Sequence, residues 1–368
     1  MNTVTPRVFV AATQQNDGKT TTALGLFAAL KKRLGRIGFI KPVGQRFVEI
    51  EGRRIDEDSV LIDQTFGVQT PLEDMSPIAV EPDFTRKYIS KSNSEFLVRR
   101  IQNSFDRACW EKEFCIIEGT GHAGVGSVFD LSNARVAKLL QSKVLLVTRG
   151  GIGRSIDEVA LNKALFDKEG VELVGVILNK VLHDKFDHVA EFARRGLDRL
   201  GIDLLGVVPV EPLLANATLG QICKETKGKF LNRPSESLRR VRKIIIGAMS
   251  SSHVMEYFSP GTLVITPGDR EDVILAALST SSLTEADGRA VAGLVLSGDL
   301  FPHQSVLDLI SASDLPAIAS PLDSYTVANT IYSMTVKTLP GDAEKISKIQ
   351  SLIERHVEID RLLEKLRS

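Results

Sequence analysis

One short segment constrains this chain more than any other. Val8–Ala12 is an unbroken apolar run, and it leads into the polar stretch Thr13-Gln14-Gln15-Asn16-Asp17 and then Gly18-Lys19-Thr20. A helical pattern follows at once, with Ala23, Phe27, Leu30 and Leu34 on one face, Lys31, Lys32 and Arg33 beside them, and Gly35 as a left-handed stop. Strand, polar loop, Gly-Lys-Thr and helix form the context in which a phosphate-binding loop is expected. The backbone N–H groups of such a loop and of the helix N-terminus converge on one point and suit an anion. In this reading Gly18 lets the backbone approach, Lys19 reaches the terminal phosphates, and the Thr20 hydroxyl holds Mg²⁺. Gln15, Asn16, Asp17 and Thr21 complete the run expected to line the nucleotide. The first glycine of the standard loop is replaced by Thr13 on the usual spacing, or by Ala12 if the loop is one residue longer. The competing reading is an ordinary strand-to-helix turn that happens to carry a lysine.

Further apolar runs at Ile37–Ile40, Phe114–Ile117, Val144–Thr148, Val174–Leu178 and Leu205–Val208 alternate with helical patterns. Strands apolar at nearly every position are buried on both faces, which places them in a mostly parallel sheet flanked by helices. Polar residues stand at the carboxyl ends of these runs, where open parallel sheets bind ligands. Lys41 follows the second run, Glu118 the third, and Asn179 with Lys180 the fifth. A carboxylate at a strand tip beside a phosphate loop is the usual second anchor for Mg²⁺, which points to Glu118. The acidic run Asp56-Glu57-Asp58 offers a further carboxylate, or is simply a solvated helix start. Asn179 and Lys180 are placed to read a base edge, or Asn179 only ends a strand.

Composition narrows the class. Among 368 residues, 46 Lys plus Arg balance 46 Asp plus Glu, which argues against a dedicated nucleic-acid binder. Hydrophobic residues at 43% and charged residues at 25% describe a globular chain. The three cysteines, Cys109, Cys115 and Cys223, make no disulfide scaffold and lack metal-ligand spacing. No run approaches a membrane span, and Met1–Arg7 has no signal-peptide pattern. The expectation is a reduced, cytoplasmic compartment with no nucleic-acid and no membrane partner. His122, alone in a glycine-rich loop, is read as incidental.

The second half reads as a smaller α/β domain. Residues 223–242 are polar and rich in Lys and Arg and are taken as a joint between domains 1–222 and 243–368. Beyond it come runs at Ile244–Ala248, Leu263–Thr266, Ala292–Leu296 and Pro316–Ala319. The chain closes on an amphipathic helix over Ala343–Leu366, whose apolar stripe is Ile346, Ile349, Leu352, Ile353 and Val357.

Across about the first 215 residues the chain resembles the dethiobiotin synthetase group of P-loop ATPases. The matching pieces are Ala12–Thr20, Lys41-Pro42-Val43, Asp58, Glu118-Gly119-Thr120-Gly121 and Val174–Val181. The resemblance implies that Lys19 and Lys41 bind ATP phosphates and the reacting carbamate and so carry any catalysis. It also implies that Thr20, Asp58 and Glu118 hold Mg²⁺. The loop departs from the group at Ala12, Gln14, Gln15 and Asn16, the serine expected after Lys-Pro-Val is replaced within Gly44-Gln45, and no diamine-binding residues are recognisable.

The whole layout is similar to the N-terminal half of long bacterial phosphotransacetylases, where a synthetase-like domain precedes a DRTGG domain. Asp269-Arg270 matches the "DR" and Ser297-Gly298 the "TG", with Asp299 where the last glycine is expected. Arg270 is free to pair with a phosphate or carboxylate, or the segment is a structural turn bonded to its own backbone. The length leaves no room for the acyltransferase domain. The leading expectation is therefore a nucleotide-sensing, Mg²⁺-dependent ATP-binding protein, dimeric by family likeness, with the DRTGG-like domain as a place for regulation or a protein partner. Two alternatives stand beside it: an ATP-dependent ligase acting on a carboxylate or carbamate, and an interaction module that has lost nucleotide.

Overall fold

The computed structural model describes residues 2–280, 288 and 290–367. It divides into two compact units, one of residues 1–211 with 338–368 and one of residues 212–337.

The first unit is built on six parallel strands: β1 (Arg7–Ala12), β2 (Ile37–Ile40), β3 (Phe114–Glu118), β4 (Lys143–Arg149), β5 (Leu173–Val181) and β6 (Leu204–Pro209). Their order across the sheet is β6-β5-β4-β1-β3-β2. From β1 the chain goes out to one side and then to the other, so the strand order reverses at β1. That reversal opens the crevice in which such sheets bind ligands, at the strands' carboxyl ends. All six apolar runs read from the sequence are strands here, each extended by a residue or more at one or both ends except Ile37–Ile40. The reason is their burial: Val8, Phe9, Val10, Ile116, Ile117, Leu145 and Leu146 are fully buried. A strand covered on both faces cannot show the alternation that marks a half-exposed one.

Helix α1 (Lys19–Leu34) runs from the loop after β1, and its residues Thr22–Leu30 are all buried. A helix apolar on every side needs cover on every side. One face lies on the sheet. The other is covered by α4 (Ala343–His356), a segment that returns to this unit after the second one. Helices α2 (Glu57–Phe66) and α3 (Gly153–Glu169) complete the surroundings of the crevice.

The terminal amphipathic stretch therefore belongs with the first unit, not with the second as its position in the chain suggested. It is also two helices, α4 and α5 (Ile359–Arg367), separated at Val357, which is extended at φ −121°. The break has a cause. Val357 makes an antiparallel bridge to Gly206 of β6, and the Glu358 N–H donates to the Leu205 carbonyl at 2.8 Å. Ion pairs Arg33–Glu354, Arg33–Asp360 and Arg361–Asp203 fix the segment further. An apolar stripe shows that a helix packs, without saying on what.

The second unit has a five-stranded sheet of β7 (Lys229–Phe230), β8 (Lys243–Ile246), β9 (Thr262–Pro267), β10 (Gly293–Ser297) and β11 (Ala317–Ala319). The order is β7-β11-β10-β9-β8, with β7 antiparallel to β11 and the other pairs parallel. Residues 223–242, read as a joint, are part of this unit. Thr218 and Gln221 form a capping box for a helix over Leu219–Glu225 that buries Leu219, Ile222 and Cys223. The Lys and Arg residues that made the stretch look like a linker are the solvent side of ordered structure.

The contact between α1 and α4 passes over Gly25, where a Cβ would run into the Ile353 side chain and approach the Ile349 carbonyl oxygen at 3.2 Å. Gly-to-Ala in a helix ordinarily gains about 1 kcal/mol. Here Gly25→Ala is expected to lose about 1–3 kcal/mol through overpacking. Urea denaturation checks it, and adding Ile353→Ala should cost less than the sum of the two single changes.

Candidate functional site

The loop between β1 and α1 is held by its own side chains. The Thr13 N–H donates to the Val147 carbonyl at 2.9 Å. The Thr13 hydroxyl lies 2.8 Å from an Asp17 carboxylate oxygen, which also accepts the Gln14 N–H at 2.8 Å. Burial pushes the Asp17 carboxyl up, against these two hydrogen bonds. From α3, Glu158 accepts from the Gln14 amide at 2.7 Å and sits 3.3 Å from the Thr13 hydroxyl. Asn16 and Gly18 are left-handed, at φ 68° and 105°.

At the helix start, Lys19 is buried and its ammonium reaches the Gln14 carbonyl at 3.5 Å. Burial pulls this ammonium down to about 8; Glu118 opposes the shift and the like charge of Lys41 adds to it. The Thr20 hydroxyl donates to Glu118 Oε1 at 2.8 Å. Thr21 is half-buried beside it, while Gln15 and Asn16 are exposed on the loop.

Lys41 follows β2, and its buried ammonium is surrounded by carboxylates. It lies 3.2 Å from Asp56 Oδ1 and 3.5 Å from Glu118 Oε1, and it is bonded still more closely to Asp58. Asp56 caps α2 by accepting the Asp58 N–H at 2.9 Å, so one helix N-terminus presents both aspartates to the lysine. Burial acts against the charge on Lys41, but Asp58, Glu118 and Asp56 outweigh it and hold the ammonium well above its ordinary value. Glu118 is fully buried at the tip of β3, and one of its oxygens, Oε2, has no hydrogen-bond partner. Burial pushes its carboxyl up to about 7, against the pull of Lys41.

The structure thus gathers Lys19, Thr20, Lys41, Asp58 and Glu118 at one end of the sheet. Asn179 is also there, but its amide is turned onto the loop. Its Nδ2 donates to the Asp17 carbonyl at 2.8 Å and its Oδ1 accepts the Lys180 N–H at 2.9 Å. In this arrangement it buttresses the loop rather than standing open at a base edge. Lys180 adds a bond from its ammonium to the Asn16 carbonyl at 2.7 Å. Sequence reasoning did not select Glu158, and it named Asp56 only within the acidic run and Lys180 only beside Asn179. Asp56 carried a signal, since an Asp directly before a helix is a cap. Glu158 carried none, because nothing in a helix far along the chain marks the residue that reaches back to the loop.

Metal fit can be judged from the donors. Thr20, Asp58 and Glu118 offer oxygen only, the chemistry Mg²⁺ prefers, and Glu118 Oε2 is an orphaned buried acceptor. These residues fit the ion. Among the described residues no group of three or more His, Cys, Asp or Glu side chains is gathered so as to hold a metal by itself.

In the second unit the two halves of the motif meet. Gly268 donates to the Ser297 carbonyl at 3.3 Å, and a Cβ on Gly268 would collide with the Leu300 carbonyl. Arg270 is bonded locally, to both oxygens of Asp272 at 2.8 and 3.0 Å and to the Met249 carbonyl at 2.8 Å. Gly298 and Asp299 are both left-handed, at φ 83° and 55°. Two successive left-handed residues explain why a Gly-Gly pair suits this turn, and aspartate is among the few other residues that adopt the conformation readily.

A strand–loop–helix phosphate cradle on a parallel sheet with reversed order defines a P-loop protein of the α/β class. The chain belongs to the AAA domain family (AAA_26), whose profile matches residues 6–218, and a DRTGG domain profile matches residues 221–334. It is 28% identical over 371 residues to a phosphate acetyltransferase of Pseudomonas aeruginosa, covering 96% of this chain and 51% of that protein. A phosphate acetyltransferase of Nitrosomonas europaea is 26% identical over 367 residues, with 97% and 51% covered. The chain spans about half the length of the curated relatives it matches, which agrees with its similarity to the two-domain half of such proteins.

Distant likenesses among solved structures include the septum site-determining protein MinD of Pyrococcus horikoshii complexed with Mg-ADP. That match is 16% identical, covers 57% of this chain and 84% of that one, and has a TM-score of 0.37. Another is the regulatory CBS and DRTGG region of a Clostridium perfringens pyrophosphatase complexed with diadenosine tetraphosphate. It is 20% identical and covers 39% and 63%, with a TM-score of 0.26.

Glu118 binds its proton more tightly in the folded chain than in the unfolded one, where the ordinary value is 4.5. Its favourable contribution to stability is complete below that value and is lost as pH rises through about 7. Urea unfolding of the parent and of Glu118→Gln at pH 5 and pH 8 should show the parent losing ground between the two. A difference that stays flat would contradict the assignment.

Proposed function

We propose that this chain is a Mg²⁺-dependent ATP-binding protein in which the P-loop unit senses nucleotide and the DRTGG unit serves regulation or assembly. The observation that carries this reading is the convergence of Lys19, Thr20, Lys41, Asp58 and Glu118 beside the loop. Lys19 and the loop's N–H groups would take the phosphates, with charge-assisted hydrogen bonds stronger than neutral ones. Thr20, Asp58 and Glu118 would hold the ion. When bound, Mg²⁺ would neutralise phosphate charge and fix the orientation of the terminal groups. Asn179 and Lys180 would keep the loop in shape around them. Among the described residues no helix is long and apolar enough to cross a membrane. We further propose a cytoplasmic dimer, on the likeness to phosphate acetyltransferases, and no nucleic-acid partner, on the balanced charge.

Calorimetry with ATP, in Mg²⁺ and then in excess chelator, tests the reading. Binding should weaken at least about tenfold without the ion and again in Lys19→Ala, since each change removes a charge-assisted contact. Absence of Mg²⁺-dependent binding, or unchanged binding in Lys19→Ala, would overturn it. Stimulated release of ADP by a carboxylic acid or an amine would move the reading towards a ligase.

A further inference from the structure

The cation proposed for this site and the lysine beside it claim the same oxygens. Asp58 and Glu118, two of the proposed ligands, are the residues to which the Lys41 ammonium is bonded, and Asp56 is the third carboxylate on that ammonium. All four side chains are buried, so water cannot screen them. A divalent ion and an ammonium a few ångströms apart in such a place repel each other strongly. Three carboxylates left without a counter-charge would be equally costly, because each buried ion carries a desolvation penalty of several kcal/mol. The ammonium already occupies the space beside Asp58 and Glu118 Oε1, so an ion that binds those oxygens together with the Thr20 hydroxyl must take its place.

We propose that Lys41 is a resident counter-ion of the Asp56–Asp58–Glu118 cluster, and that a small divalent cation enters only by displacing its ammonium. The unpartnered Oε2 of Glu118, in a residue with no exposed surface, is the second mark of a ligand position here: it is an acceptor that Lys41 does not use. Oxygen-only donors select Mg²⁺ or Mn²⁺ over softer ions. The displaced ammonium stays on the flexible lysine stem beside the loop, where an incoming phosphate oxygen offers it a new partner. A free ion brings no such partner. The exchange would therefore favour a metal–nucleotide complex over the bare metal, which keeps the site from filling with free Mg²⁺. This deepens the nucleotide reading and takes the site's purpose from it, but the exchange itself is read without nucleotide.

The test is a Mn²⁺ titration of the full chain in the absence of nucleotide, followed by electron paramagnetic resonance of the free ion. The parent and Lys41→Met are compared, the variant keeping most of the stem's volume without its charge. Lys41→Met should bind Mn²⁺ at least about tenfold more tightly than the parent, as expected when a competing buried cation is removed. Adding Glu118→Gln to Lys41→Met should abolish the gain. If Lys41→Met is unfolded without metal, circular dichroism should show Mn²⁺ restoring its fold. Equal Mn²⁺ affinity in parent and variant would overturn the proposal. So would a gain that survives Glu118→Gln, or an unfolded variant that Mn²⁺ does not rescue. A parent that fails to bind ATP, together with a Lys41→Met that gains Mn²⁺ affinity, would refute the nucleotide reading and leave the exchange standing.

Discussion

The carboxyl edge of the six-stranded sheet is organised around buried charge. Lys41, Asp56, Asp58 and Glu118 stand where solvent does not reach; the lysine is tolerable there because three carboxylates surround it, and they in turn depend on its charge. That requirement fixes several elements at once. Strand β2 must end where its next residue meets the tip of β3, and α2 must start with its first turn aimed at the same point. Strand β1 must lie next to β3 so that the Thr20 hydroxyl comes within reach of Glu118. Removing the lysine leaves three buried carboxylates uncompensated, so the sheet edge, the helix start and the phosphate loop hold together as one construction.

Much of this was legible in the chain. Ten apolar runs were readable as strands and all ten contain strands, most of them because parallel sheets bury both faces and leave continuous apolar stretches; the edge strand Lys243–Ile246 is apolar though part-exposed. Lys41 and Glu118 were readable because each sits one step beyond or at the end of such a run. Asp58 was readable mainly through resemblance. Asp56 was less so, because a capping carboxylate and a ligand carboxylate look alike until the partner of the second oxygen is known. The side chain of Asn179 could not be aimed from sequence, since whether an amide at a strand end faces a ligand or the neighbouring loop depends on how the loop curls. The boundaries were the least legible part. Polar residues 223–242 read as a linker because their exposed side was counted and their buried anchors, Leu219, Ile222 and Cys223, lay at or before its edge.

In the second unit, positions that looked like ligand contacts are engaged by the fold itself. Arg270 binds its own helix start and a neighbouring carbonyl, and the turn at Gly298-Asp299 packs against the loop carrying Gly268. The letters of such a motif can thus encode how two loops close on each other. Asp299 takes the conformation that glycine takes most freely, which makes this version of the turn somewhat stiffer in the unfolded chain and more demanding in the folded one.

The return of residues 338–368 to the first unit has a consequence for the order in which the chain can become native. A ribosome releases the phosphate loop and its helix early, yet α4, which covers the outer face of that helix, emerges more than 300 residues later. Until then Leu26, Phe27 and Leu30 lie on a helix that lacks one of its two walls. The smaller unit, contiguous in sequence, can close first. The larger one must wait for the far end of the chain, and a fragment ending at Glu211 would carry all six strands with one apolar flank bare to water.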